Sequence, residues 1–192
     1  MERIKDFLNE SARLKQTVAE TLAGDIHNAI GLIRGSLNNG GKLMLMGNGG
    51  SAADAQHIAA ELIGRFKKER KAIPAIALTT DSSILTCLAN DYGYESVFSR
   101  QVEALARKGD VVMGISASGN SENVIRAFHS ADEIGAVTIG LLGNDGGKMK
   151  DMVHAAIVVP STDIARIQEV HITIGHIICE ILEQELIHED EI

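Results

Sequence analysis

The 192-residue sequence contains no Trp, and four Phe and two Tyr are all it has of that aromatic class. A core stacked from aromatic rings is excluded, so Ile, Leu, Val and Ala must fill it. The two cysteines, Cys87 and Cys179, stand in apolar surroundings without the paired spacing of a disulfide framework or a thiolate metal site, and read as buried free thiols. No apolar stretch approaches the ~18–20 residues of a membrane span. The opening MERIKDFLNE carries charge where a signal peptide would need an apolar core. Excess positive charge is also missing: 18 Lys and Arg against 26 Asp and Glu leave a formal net charge of −8. That balance excludes a broad basic face for nucleic acid or an anionic membrane. A small anionic ligand stays open, because a cradle of N–H groups and hydroxyls acts at contact distance. Without linkers, repeats or low-complexity segments, the chain reads as one cytoplasmic domain.

What is present is organised around residues 42–65, KLMLMGNGGSAADAQHIAAELIGR. Lys42 to Met46 has the length of a buried strand. Asn48 to Ser51 makes a glycine turn able to take backbone angles closed to other residues, and an Ala-rich helix follows from Ala52. Strand, turn and helix in that order aim several N–H groups and the positive end of the helix dipole at one point, a place for an anion. The same residues also fit a plain turn, or the dinucleotide fingerprint G-x-G-x-x-A, although its acidic partner Asp81 lies well beyond the usual ~20-residue spacing. On the helix, His57 and Glu61 share one face, roughly 6 Å apart along the axis at about 1.5 Å per residue. They suit an acid–base or metal-binding pair, or a surface pair that only stabilises the helix.

Apolar side chains recur at helical spacing over residues 2–22 and 24–38, and Asn38 to Gly41 stops the second helix. Short apolar strands are predicted at 42–46, 72–78, 110–115, 136–142 and 155–160. Between and after them, helices are predicted from Ala52 and over 83–89, 95–107, 122–134 and 163–187, with residues 90–93 as a break and 65–71 as a basic loop. This is the pattern of an α/β protein whose parallel sheet is covered on both faces, with two leading helices that pack on a partner subunit as well. Ligands bind such sheets at the carboxyl ends of the strands. Two loops occupy that position: 48–51, and 116–121 with Ser116, Ser118, Asn120 and Ser121. Hydroxyls opening a helix suit a phosphate monoester, or Asn120 or Ser121 is simply a helix cap. No Gly-Lys-Ser/Thr follows either loop, which excludes a nucleotide P-loop. The last helix carries Gln168, His171 and His176. Gln168 and His176 lie about 80° around and roughly 12 Å along an ideal helix, so one ion could join them only through long side chains or a second subunit.

The run GNGGSAADAQHIAAELIGRF, the loop GISASGNS, the segment AND at 89–91 and ARIQEVHITIGH near the end resemble the sugar isomerase (SIS) domain and, within it, the phosphoheptose isomerase family. The resemblance covers nearly the whole chain. It implies a single SIS domain over 1–192, with a flavodoxin-like five-stranded parallel sheet flanked by helices, 1–40 as a helical extension for oligomerisation and 41–192 as core and C-terminal helix. It implies a homotetramer with sites at subunit interfaces and one zinc per subunit. The implied activity converts sedoheptulose 7-phosphate to D-glycero-D-manno-heptose 7-phosphate through an enediol, as a heptose precursor for lipopolysaccharide or related glycans. By position, Asn48, Gly49, Gly50 and Ser51 would line the substrate site, Ser116, Ala117, Ser118 and Ser121 would surround the phosphate, and Asn90 and Asp91 would touch the sugar. Gln168 would join them, with Arg65 at the edge. Zinc would be held by His57, Glu61, Gln168 and His176, while Glu61 and His176 are the acid–base candidates.

Two positions depart from the family's pattern. Ala117 stands where many members have Thr between two serines, and Ala165 where some have Asp, with Asp163 nearby but not equivalent. A non-catalytic paralogue that binds the bacterial replication initiator is the alternative; it is similar at the N-terminus and in PAIALTTD, but lacks the equivalents of Glu61 and His176. A ketose–aldose conversion needs a base near a C–H, an acid or metal at the carbonyl, and exclusion of water. Glu61, on a mostly apolar helix, is the expected base, because burial would favour its neutral form and raise its pKa. Tight zinc ligation would weaken that base, which leaves the metal catalytic or structural.

Overall fold

The apolar runs form five strands: β1 (Leu43–Gly47), β2 (Ala75–Ala77), β3 (Val111–Ser116), β4 (Val137–Leu142) and β5 (Ala155–Val158). In the computed structural model, which describes residues 1–189, they make one parallel sheet in the order β2-β1-β3-β4-β5. Every residue of β1 and β3 is buried, as central strands covered on both faces must be. Successive side chains point to opposite faces, which divides the core in two. Leu43, Leu45, Met113 and Ile115 pack with α2 (Ala23–Asn38), α3 (Gly50–Ile63) and α7 (Ile164–Glu189). Met44, Met46 and Val112 pack with α5 (Ser99–Leu105) and α6 (Glu122–Ile134) on the other face. The chain leaves β1 towards β2 and then returns to lay β3 on the opposite side. That reversal opens a crevice between the carboxyl ends of β1 and β3, where Gly47 pairs with Ile115.

The remaining helices are α1 (Glu2–Thr21) and α4 (Ser82–Tyr92). Only Val18 of α1 is buried, and no residue of α4 is. Ile4, Phe7 and Leu8 stay exposed on α1, and Ile84 and Tyr92 on α4. Cys179 is a buried thiol as the sequence suggests, but Cys87 is exposed, since the α4 side chains that pack on the core are Leu85, Leu88 and Ala89.

Four boundaries differ from the periodicity. β2 shrinks to three residues because Pro74, which has no N–H to give a ladder, stands just before it at the sheet's edge. α3 starts at Gly50, two residues early, since the glycine turn is itself the first helical turn. α4 runs through Asn90 and Asp91, and the break falls at Gly93, whose φ of 87° suits glycine. The helix expected over 95–107 is a 3₁₀ turn at Tyr94–Ser96 followed by α5, which lets Val97 and Phe98 reach the core between them. Asp81 caps α4 by accepting from the Ile84 N–H at 2.9 Å.

The basic loop after α3 is not a solvated charge run. Arg70 is buried and donates to the carbonyls of Glu61 at 2.8 Å, Leu62 at 2.7 Å and Gly64 at 3.2 Å. It therefore closes the carboxyl end of α3, whose last carbonyls have no helical partners.

Candidate active site

Both loops at the crevice converge on one cavity of about 190 Å³, lined by Asn48, Ser51, Ser116, Ala117, Ser118, Ser121 and Gln168 among others. Gly49, with a φ of 56°, stands at the N-cap of α3, which has no side-chain cap. Gly50 lies against the Gln168 amide, which a Cβ there would approach to within 2.6 Å. Ser51 is buried at the mouth of the same helix.

In the serine loop, the side-chain cap bond expected of a helix-opening serine is not made. Ser121 is the N-cap of α6, yet its side chain makes no cap bond. Its hydroxyl instead lies 3.0 Å from that of Ser116, which is 3.5 Å from that of Ser118. Three hydroxyls thus gather beside two helix N-termini, a donor-rich point suited to a phosphate group. Asn120 shapes the loop: its Nδ2 donates to the Ser118 carbonyl at 2.8 Å, and its Oδ1 accepts from Lys148 N at 3.1 Å. Asn144 holds the loop's middle, donating to the Ala117 carbonyl at 3.0 Å.

A second cluster sits further along α3 and α7. His57 Nε2 lies 2.9 Å from His176 Nε2 and 3.4 Å from Glu61 Oε1. The His176 ring is set between those of His57 and Phe66, with centroids 5.1 and 5.6 Å away. Two imidazole nitrogens and a carboxylate are the right donor types for zinc. Among the described residues, however, no three His, Cys, Asp or Glu side chains surround a common point as metal ligands. Gln168 stays at the glycine turn and does not join His176 within this chain.

Other expected residues lie apart from both clusters. Asn90 and Asp91 are exposed on the last turn of α4, where Asn90 Nδ2 donates to Asp91 Oδ1 at 2.8 Å. Arg65 is exposed and pairs with Glu69 at 3.9 Å.

Three residues of the site escape the sequence reading. Asn123 is buried and exchanges two hydrogen bonds with Asn48, at 2.9 and 2.8 Å, and Tyr94 donates to Asn48 Oδ1 at 3.3 Å. Asp54 shares its helical face with His57 and Glu61, and its Oδ2 is buried without a partner. Burial pushes its carboxyl above the usual range, with His57 pulling it down. The spacing Asp54, His57, Glu61 was the available signal for Asp54, while Asn123 reads only as a helix-opening amide. His171, by contrast, belongs to the core. It is fully buried, its Nε2 donates to the Leu142 carbonyl at 2.9 Å, and burial pushes its pKa down to about 4, so it is neutral at pH 7.

Residues 6–143 match the family model described as the SIS domain. The phosphoheptose isomerase of Aquifex aeolicus is 55% identical over 184 residues, 96% of each chain. That of Geobacter sulfurreducens is 56% identical over 179 residues, 93% of this chain and 95% of the relative. Among solved structures, a phosphoheptose isomerase from Neisseria gonorrhoeae superposes with a TM-score of 0.90 at 46% identity, covering 95% of this chain and 98% of the other. One from Francisella tularensis gives 0.92 at 36% identity, covering 95% and 97%.

Proposed function

The chain belongs to the SIS-domain phosphoheptose isomerase family, and we propose that it interconverts sedoheptulose 7-phosphate and D-glycero-D-manno-heptose 7-phosphate. It is a sugar-phosphate isomerase of the aldose–ketose class. The observation that carries the reading is the placement of one cluster at the start of α3 and α7 and of another further along the same two helices. One, at the carboxyl ends of β1 and β3, gathers the hydroxyls of Ser116, Ser118 and Ser121 for a phosphate. The other, His57, Glu61 and His176, offers groups that accept and donate protons. Gln168 in the first and His176 in the second are separated by roughly 12 Å along α7 at about 1.5 Å per residue. A seven-carbon phosphate ester reaches across that gap, and a triose phosphate falls short.

In this reading the phosphate takes no part in the chemistry, but its binding energy fixes the reacting end of the sugar. Glu61 takes the proton from C1 of the ketose, leaving an enediol between C1 and C2. Return of a proton to C2 and loss of the hydroxyl proton from C1 give the aldose. His176 protonates and deprotonates the oxygens. Incubation of the purified protein with sedoheptulose 7-phosphate should yield the aldose by NMR. Absence of both the aldose and solvent-deuterium exchange next to the carbonyl would sink the reading.

Zinc is part of the proposal, with His57 and His176 as its nitrogen ligands and Glu61 and Gln168 as oxygen donors. The donor chemistry fits, and two ring nitrogens 2.9 Å apart suit a shared cation or proton. When bound, zinc would polarise the sugar carbonyl as a Lewis acid. Protein purified without chelator should carry zinc by elemental analysis, and His57→Ala should lose it; metal-free wild-type protein with full activity rules out a catalytic zinc.

We further propose a cytoplasmic homotetramer in which a neighbouring subunit completes each site, making heptose precursors for lipopolysaccharide or related glycans. The exposed apolar side chains of α1, and Ile84 and Tyr92 on the helix α4 that carries Asn90 and Asp91, support the assembly. Two free thiols suit a reducing compartment, and among the described residues no helix is long and apolar enough to cross a membrane. Light scattering at micromolar concentration should give the mass of a tetramer. A monomer there would contradict both the assembly and the shared site.

A further inference from the structure

Asn48 makes more hydrogen bonds than a residue that merely faces the cavity needs. Its Nδ2 donates to Asn123 Oδ1 at 2.9 Å, Asn123 Nδ2 donates back to Asn48 Oδ1 at 2.8 Å, and the Tyr94 hydroxyl donates to the same oxygen at 3.3 Å. Those two donors use both lone pairs of Oδ1. The remaining N–H of Asn48 Nδ2 is then the group left for a ligand. Asn48 lines the 190 Å³ serine-loop cavity, and Asn123 does not. Asn123 instead stands behind it, 4% exposed in the first turn of α6, and lines with Tyr94 and Asn48 a second hollow on the far side.

We infer that Asn123 is a positioning residue for substrate binding: it orients the Asn48 amide so that an N–H faces the phosphate cradle, and it ties the turn before α3 to the loop before α6. The inference rests on the isomerase reading for its ligand. The cradle is assembled from two loops, 48–51 and 116–121, that approach from different strands. Asn48 and Asn123 are the side chains that join them with reciprocal bonds. A neutral amide pair does this without placing a negative charge beside the phosphate. Misorientation of Asn48 would present its carbonyl oxygen to an anion, converting an attraction into a repulsion. Tyr94 reinforces the orientation from outside, since it is 55% exposed and reaches Asn48 only through its hydroxyl.

A residue that acts through Asn48 should lose its influence once Asn48 is gone. The test is therefore a double-mutant cycle of Asn48→Ala, Asn123→Ala and both together, with Tyr94→Phe and Asn123→Asp alongside. Turnover gives kcat and KM, and calorimetry gives the affinity for sedoheptulose 7-phosphate and, separately, for inorganic phosphate. Asn123→Ala should raise KM about tenfold, as for one hydrogen bond to a charged group, with kcat within about twofold of wild type. In the Asn48→Ala background the same change should add nothing. A wild-type KM in Asn123→Ala, or losses that multiply in the double variant, overturns the inference in favour of a purely structural pair. Should Asn123→Ala fail to fold, Tyr94→Phe and Asn123→Asp decide. The first should weaken phosphate binding by about twofold to fivefold, and the second by more, because it adds a carboxylate beside the cradle; unchanged phosphate affinity in both overturns the inference. Wild-type protein that binds phosphate but forms no aldose defeats the isomerase reading alone, and the phosphate titrations then still decide the role of Asn123.

Discussion

Glu61→Gln should leave sedoheptulose 7-phosphate bound but slow turnover by at least about 10²–10⁴-fold, the contribution expected of a general base. Gln keeps the size of the side chain and one acceptor oxygen, and removes only the basic carboxylate. The phosphate cradle is made by other residues at the opposite end of α3, so binding survives. Glu61 is held for the task from two sides. Its carboxylate is 24% exposed and lies 3.4 Å from His57 Nε2. Its carbonyl is fixed by Arg70 at 2.8 Å, which keeps the last turn of α3 from fraying under it. Isotope exchange gives the sharper reading. In deuterated water the wild-type enzyme should wash deuterium into the substrate beside its carbonyl, and the Gln variant should not. If Glu61→Gln exchanges at a near wild-type rate while His176→Gln does not, the two roles are reversed.

The parts of this site that depend on local sequence were legible before the fold was known. Buried strands, a glycine turn and a hydroxyl-rich loop each carry their own signature. The parallel sheet then brings the carboxyl ends of β1 and β3 together whatever the side chains elsewhere. The convergence of Ser116, Ser118 and Ser121 follows from one short loop of chain. What the sequence hid are pairings made across long separations. Asn123 meets Asn48 from 75 residues away, and nothing in the stretch around Asn123 marks it as other than a helix-opening amide. Arg70 read as one charge in a basic loop, because burial of a guanidinium depends on carbonyls and a carboxylate that only the folded chain supplies. Cys87 read as buried because its neighbours are apolar. Those neighbours form a helix that rests on the core through the partly buried Leu85, Leu88 and Ala89, and local composition did not show that Cys87 lies off that face.

Glu183 is the other position where one substitution should have a large effect, this time on stability. It lies on α7 with 1% exposure, and both carboxylate oxygens are engaged. Oε1 accepts from Phe66 N at 3.0 Å, and Oε2 from Lys67 N and Lys68 N, both at 2.9 Å. The Arg70 guanidinium lies 3.4 Å from Oε1. One carboxylate thus pins the loop after α3 to α7 and balances the cation that closes α3. Glu183→Ala strands three N–H groups and a buried positive charge. Removing one partner of such a pair costs about 3–5 kcal/mol, well above the loss of the apolar contacts alone. Glu183→Gln, which keeps the shape and one acceptor, should cost less. Acid should reproduce part of the effect. Burial by itself would push the Glu183 carboxyl up, but the amides of Lys67, Phe66 and Lys68 and the Arg70 guanidinium outweigh it and hold the pKa below the usual 4.5. The unfolded chain therefore binds this proton more readily than the folded one. The stabilisation is complete above pH 4.5 and is lost as the pH falls through the lower, folded value. Urea unfolding followed by circular dichroism, at fixed protomer concentration, reads both effects. Glu183→Ala should lower the midpoint strongly at pH 7 and show a shallower loss of stability below about pH 4.5 than wild type. A variant within about 0.5 kcal/mol of wild type at pH 7 would mean that the loop and α3 do not depend on this carboxylate.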